Sequence, residues 1–232
     1  MKVLIACEES QRVCSAFRNK GHEAYSCDIQ EPSGHHPGWH ILDNCLKILG
    51  GGKFMTMDMR EHSVDKWDLI IAHPPCTYLT NVASRMHSIN GVRSVTRNQR
   101  IEMINARTRE RIKAVEFFME IVNADCEKIC VENPCGVVNT FYRKPDQIIH
   151  PYFFAENEED KENYVMKKTC LWLKNLPELR RTSNLPAPSK TGKYGWEESC
   201  KKLDQDKNRS KQRSKTFTAV AKAMAEQWGG CE

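Results

Sequence analysis

Three short apolar runs constrain the fold of this chain more than any other feature. They are KVLIAC at 2–7, WDLIIA at 67–72 and KICV at 128–131. Runs of this length without polar alternation are typical of strands that are buried on both faces, as in a parallel sheet. The chain is therefore expected to place these runs side by side at the centre of a sheet.

Helical segments are predicted between these strands. A first helix is expected over 11–20 and ends before Gly21. A second is expected over 98–124, where apolar residues recur on one helix face. That face carries Val115, Phe118, Met119 and Val122. The alternation of strands and helices favours an α/β fold with a doubly wound, mostly parallel, Rossmann-like sheet.

Further strands are predicted over 23–28, 53–58 and 164–173. The stretch 29–52 is rich in glycine and proline, and we expect it to be mostly loop. An amphipathic helix with an N-cap at Ser214 is expected to pack back on the core. Its apolar face carries Phe217, Val220, Ala221, Met224 and Trp228.

The chain is expected to form one domain with a small appended region. A core is predicted over 1–177, and the closing helix lies within 213–232. Between them, 178–212 is rich in proline, lysine, asparagine and serine, and it has few apolar anchors. This stretch is either a small surface module or a loop.

Composition excludes several classes of protein. Hydrophobic residues make up 40% of the 232 residues, which is ample for a packed interior, yet no run of 18 apolar residues occurs and the start lacks a signal-peptide pattern. Eleven cysteines with no CxxC spacing argue against a disulfide scaffold and a structural metal site. We expect a cytoplasmic protein with reduced thiols, no metal ion and no membrane contact.

The net charge of +5 is concentrated in two segments. Residues 85–113 carry eight basic side chains against two acidic ones, and residues 174–215 carry twelve against five. Basic segments on an otherwise acidic body are typical of proteins that bind a polyanion such as nucleic acid. Two solvated surfaces would have the same composition, so charge alone leaves both interpretations open.

Polar residues follow the predicted strands at the places where each strand ends. In parallel sheets, ligands bind at the carboxyl ends of the strands. The residues expected at this edge are Cys7, Glu8, Glu9, Asp28, Asp58, Pro74, Pro75, Cys76, Glu132, Asn133 and Pro134.

Cys76 and Glu132 are candidates for chemistry at this edge. Cys76 follows two prolines, which hold the backbone stiffly, so its thiol is either a nucleophile or a small buried apolar group. Glu132 ends an apolar strand, where burial is expected to raise its pKa and let it act as an acid. The alternative for Glu132 is a helix-capping or ribose-binding carboxylate.

The acids near the first two strands point to a cofactor without phosphate. Asp28 lies about twenty residues after the first strand, where Rossmann-like folds place a ribose-binding acid. The first loop has no glycine, and Glu8 and Glu9 would repel a pyrophosphate. This pattern is compatible with S-adenosylmethionine, whose adenine amino group could donate to Asp58. Alternatively, each acid is a structural loop residue.

The order of these motifs resembles that of the cytosine-5 DNA methyltransferases. The similarity covers Asp28, Asp58, the segment DLIIAHPPC at 68–76 and VENP at 131–134. A compact, phage-type branch of that family is the most similar. Its resemblance extends over ACEES at 6–10, GHEAYSCD at 21–28, IIAHPPCTYLT at 70–80, KKTCLWLKNLP at 167–177 and RSKTFTAVAKAMAEQW at 213–228.

The resemblance implies a catalytic core over 1–177 with a mechanism and a set of site residues. Cys76 would attack carbon 6 of a cytosine flipped out of double-stranded DNA, and Glu132 would bind ring nitrogen 3. S-adenosylmethionine would methylate carbon 5. The implied cofactor positions are Ala6, Cys7, Glu8, Asp28, Ile29, Asp58 and Pro74, and the implied substrate positions are Pro75, Thr77, Asn133 and Lys168, the last matching a family arginine.

The chain departs from the family at three points. The Phe-x-Gly-x-Gly cofactor loop is replaced by residues 7–10, and Thr77 stands where many members have glutamine. The target-recognition region, at most 178–212, is short, so sequence specificity should be short or loose. An RNA, free nucleotide or uracil-type substrate, and an inactive nucleic-acid-binding relative, are the alternatives.

The basic segments are assigned to the DNA backbone, because they hold few aromatic residues for base stacking. The first group of contacts is Arg85, Arg93, Arg97 and Arg100. The second is Lys201, Lys202, Lys207, Arg209, Lys211 and Arg213. About six phosphate contacts would give a slope of roughly −5 in log K against log salt.

Overall fold

The computed structural model describes residues 1–81, 86–89, 95–188 and 215–230. Within these ranges the strands and helices alternate along much of the chain. The strands are β1 (Lys2–Ala6), β2 (Glu23–Asp28), β3 (His40–Leu42), β4 (Gly52–Met55), β5 (Glu61–Val64), β6 (Leu69–Ala72), β7 (Lys128–Pro134), β8 (Gln147–Ile149) and β9 (Thr169–Lys174). The helices are α1 (Arg12–Asn19), α2 (Arg97–Val122), α3 (Val138–Phe141) and α4 (Thr218–Trp228).

In the described part of the chain, seven strands form one mixed sheet in the order β3-β2-β1-β6-β7-β9-β8. The first five are parallel, and β9 and β8 run antiparallel to their neighbours. The predicted α/β class and the parallel centre are confirmed. The antiparallel edge was not predicted, and β9 begins at Thr169 rather than at 164.

The apolar runs are continuous because both faces of the central strands are covered. Along β1, Leu4 and Ala6 belong to the apolar cluster that contains the buried residues of α2. Val3 and Ile5 point to the opposite face, into the cluster formed with α1 and α4. Burying each large side chain contributes about 1.5–3 kcal/mol. This two-sided burial positions the carboxyl ends of the central strands.

The prediction of a third sheet strand over 53–58 is wrong. Gly52–Met55 pairs with Glu61–Val64 in a separate two-stranded antiparallel hairpin. The third parallel strand is β3, which pairs with β2 from Ser26↔His40 to Asp28↔Leu42. Three residues in a glycine-rich and proline-rich stretch are too few to show a periodic pattern.

The closing helix packs on the core as predicted. Val220, Met224 and Trp228 of α4 are buried in the same cluster as α1. The N-cap is Phe217, without a side-chain cap, whereas the predicted N-cap Ser214 lies outside the described residues. Arg12 also joins the two ends of the chain, because its guanidinium donates to the Thr216 carbonyl at 2.7 Å.

The second predicted helix corresponds to α2, which begins at a capping box formed by Thr96 and Gln99. No helix in the described ranges is long and apolar enough to cross a membrane. Of the predicted segment 178–212, only 178–188 is described, and it lies against the core. There Leu179 is buried and the Arg180 amide donates to Gln227 at 2.7 Å.

Candidate active site

The register of the sheet brings together the ends of β1 and β6 and a position within β7, because β7 continues past Glu132 to Pro134 and does not end at Glu132 as predicted. Ala6 pairs with Ala72, and Ala72 pairs with Val131. The next residues along β1, β6 and β7 are Cys7, His73 and Glu132. The His73 amide donates to the Ala6 carbonyl at 3.0 Å and so extends the pairing by one residue. The sheet therefore places these residues at one edge, as the sequence predicted for Cys7 and Glu132.

Glu132 is held by a histidine that sequence reasoning did not single out. Nδ1 of His73 lies 3.1 Å from Oε2 of Glu132, and the two side chains are only 6% and 20% exposed. The predicted rise in the pKa of Glu132 is wrong. Burial alone raises this pKa, but the hydrogen bond and charge of His73, with a contribution from Lys167, bring it below its ordinary value.

The loop that carries Cys76 is bound to the segment that follows Glu132. Nδ2 of Asn133 donates to the Pro74 carbonyl at 2.7 Å. At the other end of the loop, the Val137 amide donates to the Leu79 carbonyl at 2.8 Å. A Cβ at Gly136 would lie 1.9 Å from that same carbonyl oxygen, so only glycine permits this approach.

Two arginines of α2 support the backbone after Cys76. The Arg107 guanidinium donates to the Thr77 carbonyl at 3.4 Å and lies 5.0 Å from the Tyr78 ring centroid. Nε of Arg111 donates to the Tyr78 carbonyl at 3.0 Å. Pro74 is buried, whereas Pro75, Cys76 and Thr77 are exposed. The loop thus presents three exposed residues on a supported backbone.

The environment of Cys76 differs from that of the other described cysteines, which are buried or half-buried. The Cys7 sulfur lies 3.7 Å from the Cys45 sulfur, and that contact together with burial raises the pKa of Cys7 well above its ordinary value. Cys135 and Cys170 form a similar pair at 3.2 Å. Among the described thiols, Cys76 is therefore the accessible candidate nucleophile.

Glu8 stabilises the first helix, and its side chain is not available to a cofactor. Its carboxylate accepts hydrogen bonds from the Val13 and Cys14 amides at 2.7 and 3.1 Å. Burial raises the pKa of Glu8, although these bonds oppose the rise. The expectation that Glu8 contacts a cofactor is wrong for its side chain. Because Glu8 occupies the Val13 and Cys14 amides, these two amides at the start of α1 are not available to a phosphate.

The glycine-free first loop is supported from a distant segment. Cys7 and Gln11 adopt left-handed backbone conformations, with φ of 58° and 57°. The Gln11 amide group accepts from the His36 amide at 3.0 Å and donates to the His36 carbonyl at 2.9 Å. Gly34 lies so close that a Cβ there would be 2.6 Å from the Gln11 Cβ. In the sequence, this contact is indicated only by a glycine at position 34, where a larger residue would collide with Gln11.

The ends of β2 and β3 carry two acids side by side. The Asp43 amide donates to the Asp28 carbonyl at 3.1 Å. Oδ1 of Asp28 accepts from the Gln30 amide at 2.9 Å, and burial raises the pKa of Asp28. Between them in the sequence, Ile29 is 78% exposed. Oδ1 of Asp43 accepts from the Asn44 amide and from Lys47 Nζ, both at 2.7 Å. This part of the edge therefore has two partly engaged carboxylates and an exposed apolar side chain.

Asp58 does not lie at the end of a sheet strand, contrary to the prediction. It lies in the turn between β4 and β5, where it accepts from the Thr56 hydroxyl at 2.6 Å and pairs with Arg60 at 3.3 Å. The acid at the end of the third parallel strand is Asp43. In the sequence, the apolar pair Ile41 and Leu42 directly before Asp43 indicates the short strand that Asp43 follows.

The neighbouring lysines 167 and 168 differ in their surroundings. Lys167 lowers the pKa of Glu132, whereas Lys168, the predicted substrate contact, is exposed and acts on His150 and Cys170. Lys167 is therefore the basic residue that acts on the predicted acid.

The predicted DNA contacts are only partly described. Arg97 is exposed at the start of α2. Arg100 is buried and donates to the Ser88 carbonyl at 2.7 Å, so its predicted role as a backbone contact is wrong. The other predicted contacts lie outside the described residues: Arg85, Arg93, Lys201, Lys202, Lys207, Arg209, Lys211 and Arg213.

No protein-family model matches the chain, and no curated protein matches it significantly. In the described ranges, no group of three or more histidine, cysteine, aspartate or glutamate side chains could hold a metal ion. The candidate functional groups described at this edge are the thiol of Cys76, the pair of His73 and Glu132, and the two acids Asp28 and Asp43.

Proposed function

We propose that the chain is an S-adenosylmethionine-dependent DNA cytosine-5 methyltransferase of compact, phage-like type. One observation carries this proposal. The exposed Cys76 follows two prolines on a loop that is bonded at both ends to the segment containing Glu132 and Asn133. We further propose that the sheet, with helices on both faces, is the Rossmann-like fold of class I methyltransferases.

The proposed role of Cys76 is nucleophilic. Its thiolate adds to carbon 6 of the flipped-out cytosine and forms an S–C6 bond. The C5=C6 electron pair moves to C4–C5, and the C4=N3 pair moves to nitrogen 3, which takes a proton from Glu132. Carbon 5 would then take the methyl group of bound S-adenosylmethionine, the S–CH3 bond would break to leave S-adenosylhomocysteine, and nitrogen 3 would return its proton to Glu132. Transfer of the C5 proton to solvent would re-form the C5=C6 bond and expel the Cys76 thiolate.

The residues at the ends of β2 and β3 fit S-adenosylmethionine. We assign the Asp28 carboxylate to the ribose hydroxyls, and Asp43 replaces Asp58 as the candidate partner of the adenine amino group. Ile29 offers an exposed apolar surface for the adenine ring. Glu8 occupies the amides that a phosphate would need, which favours a phosphate-free ligand. The bound cofactor supplies an electrophilic methyl group on a sulfonium.

The proposed nucleic-acid contacts lie around the Cys76 loop. Pro75 and Thr77 are exposed beside the thiol and could contact the extruded base. Arg97 is available for phosphate contact, and the exposed Lys168, directly before β9, is a second candidate. Contacts of this kind position a duplex without specifying many bases, so short or loose sequence specificity is proposed.

Mass spectrometry of 5-methylcytosine tests the proposal. The protein is incubated with S-adenosylmethionine and duplex DNA of mixed sequence, in parallel with RNA and with free deoxycytidine nucleotides. Product in the DNA arm alone supports the proposal, and product in another arm moves the substrate to that class. Cofactor binding or DNA binding without product in any arm would favour an inactive relative.

A further inference from the structure

His73 occupies an unusual place between two carboxylates. It is the first residue after β6, the strand that lies between β1 and β7 in the sheet. On the β7 side, its Nδ1 contacts Glu132 at 3.1 Å. On the β1 side, it acts on Glu8, because the charge of His73 lowers the pKa of that buried acid against the effect of burial.

The two ring nitrogens of His73 have different surroundings. Nδ1 is engaged with Oε2 of Glu132, whereas Nε2 is buried and has no hydrogen-bond partner among the residues that the structure describes. The side chain is 94% buried, since 6% of it is exposed. Buried polar atoms without partners are uncommon in folded proteins, and those that occur require an explanation, which is often catalytic.

We propose that His73 is a positioning residue for Glu132, which holds its carboxyl group in place and shares with it the proton that reaches ring nitrogen 3 of the base. This inference deepens the proposed function and rests on it. Oε2 stays hydrogen-bonded to Nδ1–H of His73, and Oε1 is left for nitrogen 3. The contact thereby determines that Oε1 of Glu132, and not Oε2, faces ring nitrogen 3.

The pair carries one exchangeable proton. It resides either on Oε1 of Glu132 as a carboxylic acid or on Nε2 of His73 as an imidazolium, and Nδ1–H donates to Oε2 in both forms. When Cys76 adds to carbon 6, nitrogen 3 takes the proton from Oε1 and Glu132 becomes a carboxylate. The proton is recovered when nitrogen 3 loses it as the ring regains its double bonds.

His73 and Lys167 lower the pKa of Glu132 against the effect of burial, so Glu132 is more readily ionised than a buried carboxyl group without these partners. The other titratable groups that face the pair are Glu8 in the first loop, Lys167 before β9 and Cys130 on β7.

The pH dependence of kcat distinguishes this role from simple packing. His73→Asn keeps an amide donor near the position of Nδ1 but cannot carry the proton, and His73→Phe removes both. We expect the alkaline limb of the Asn variant to move to lower pH by about one unit or more. The Phe variant should lose about 10²-fold in kcat through misplacement of Glu132. KM for S-adenosylmethionine should change little in either.

His150→Asn is the matched control, because Nδ1 of His150 is also buried without a partner in the described ranges. It should leave the alkaline limb where it is in the wild type. If the wild type methylates and His73→Asn keeps the wild-type limb and rate, the inference is overturned. Circular dichroism confirms that each variant is folded.

A second measurement separates this inference from the proposed function. Nitrogen-15 NMR of the imidazole follows the titration of His73 in the wild type and in Glu132→Gln, whether or not the protein methylates DNA. A titration that differs between the two proteins supports proton sharing, even if no methylation is found and the proposed function fails. An unchanged midpoint overturns the inference in either case.

Discussion

The two halves of the candidate site are built differently. The base half consists of 73–77 and 132–137, and its parts are joined by short bonds between neighbouring strand ends, such as Asn133 to Pro74. The proposed cofactor half consists of 6–11, 28–29 and Asp43, and its first loop is held by contacts outside the sheet, such as Gln11 with His36. Both halves require tertiary contacts, but the base half is joined across adjacent strands of the sheet, whereas the cofactor half is joined to loops.

The halves also differ in what their polar groups do. In the cofactor half, Glu8 is committed to α1 and the Cys7 thiol to Cys45, so few side chains are left for a ligand. In the base half, Cys76 is exposed and the Glu132 side chain keeps 20% of its surface open. Substitutions in the base half should therefore lower the rate of methylation, and substitutions in the cofactor half should lower the affinity for the cofactor.

The largest effect is expected at Cys76. Cys76→Ser should abolish methylation with the fold intact, because a hydroxyl of high pKa does not form the adduct readily. DNA containing 5-fluorocytosine should trap the wild-type protein, since fluorine at carbon 5 cannot leave as a proton does. Denaturing electrophoresis and peptide mass spectrometry locate the adduct.

Cys135→Ser provides the control for this trap. Its sulfur is half-buried against Cys170, and it lies in the same pair of joined loops as Cys76. The control variant should still form the adduct. Methylation by the wild type without any covalent species at Cys76 would contradict the nucleophilic role and assign the base half another chemistry.

Glu132→Gln should give the next largest effect. The substitution preserves the shape but removes the titrating proton, so the rate should fall on the order of 10²–10⁴-fold. Binding of S-adenosylmethionine, measured by calorimetry, should be nearly unchanged, because Glu132 belongs to the base half. A wild-type rate would place the acid elsewhere, and a large loss of cofactor affinity would break the division into halves.

The length and apolar character of each local pattern explain what the sequence could predict. Strands β1, β2 and β6 and helix α2 follow long or strongly apolar patterns, and their bounds match the expectation within a few residues. Cys76, Glu132 and their prolines are contiguous motifs. Asp43 was missed because β3 has three residues, and His73 was missed because its partner is 59 residues away. Pairing across the sheet, which no local pattern shows, determines both.

A smaller effect is expected for the acids of the cofactor half. Asp28→Ala should weaken S-adenosylmethionine by roughly 1.5–3 kcal/mol, the range for hydrogen bonds to a charged group. Asp43→Asn should also weaken it, whereas Asp58→Asn should not, because Asp58 lies in the hairpin turn. Calorimetry decides between them. Weaker binding of S-adenosylmethionine by Asp58→Asn, with unchanged binding by Asp43→Asn, would restore Asp58 as the partner of the adenine amino group.

The smallest effect is expected at the start of α2, where Arg97 and Arg100 lie one helical turn apart. Arg97 is exposed, and removing one phosphate contact should make the slope of log K against log salt shallower by about 0.9. Arg100 is buried against Ser88, and its substitution should affect stability rather than the slope.

Fluorescence anisotropy with duplex DNA at several salt concentrations measures the slope for Arg97→Ala and Arg100→Ala, and thermal unfolding measures the stability of each variant. Cofactor affinity should remain constant in Arg97→Ala. A salt slope that changes in Arg100→Ala but not in Arg97→Ala would mean that the start of α2 opens when nucleic acid binds and that Arg100 contacts a phosphate. The start of α2 would then belong to the base half.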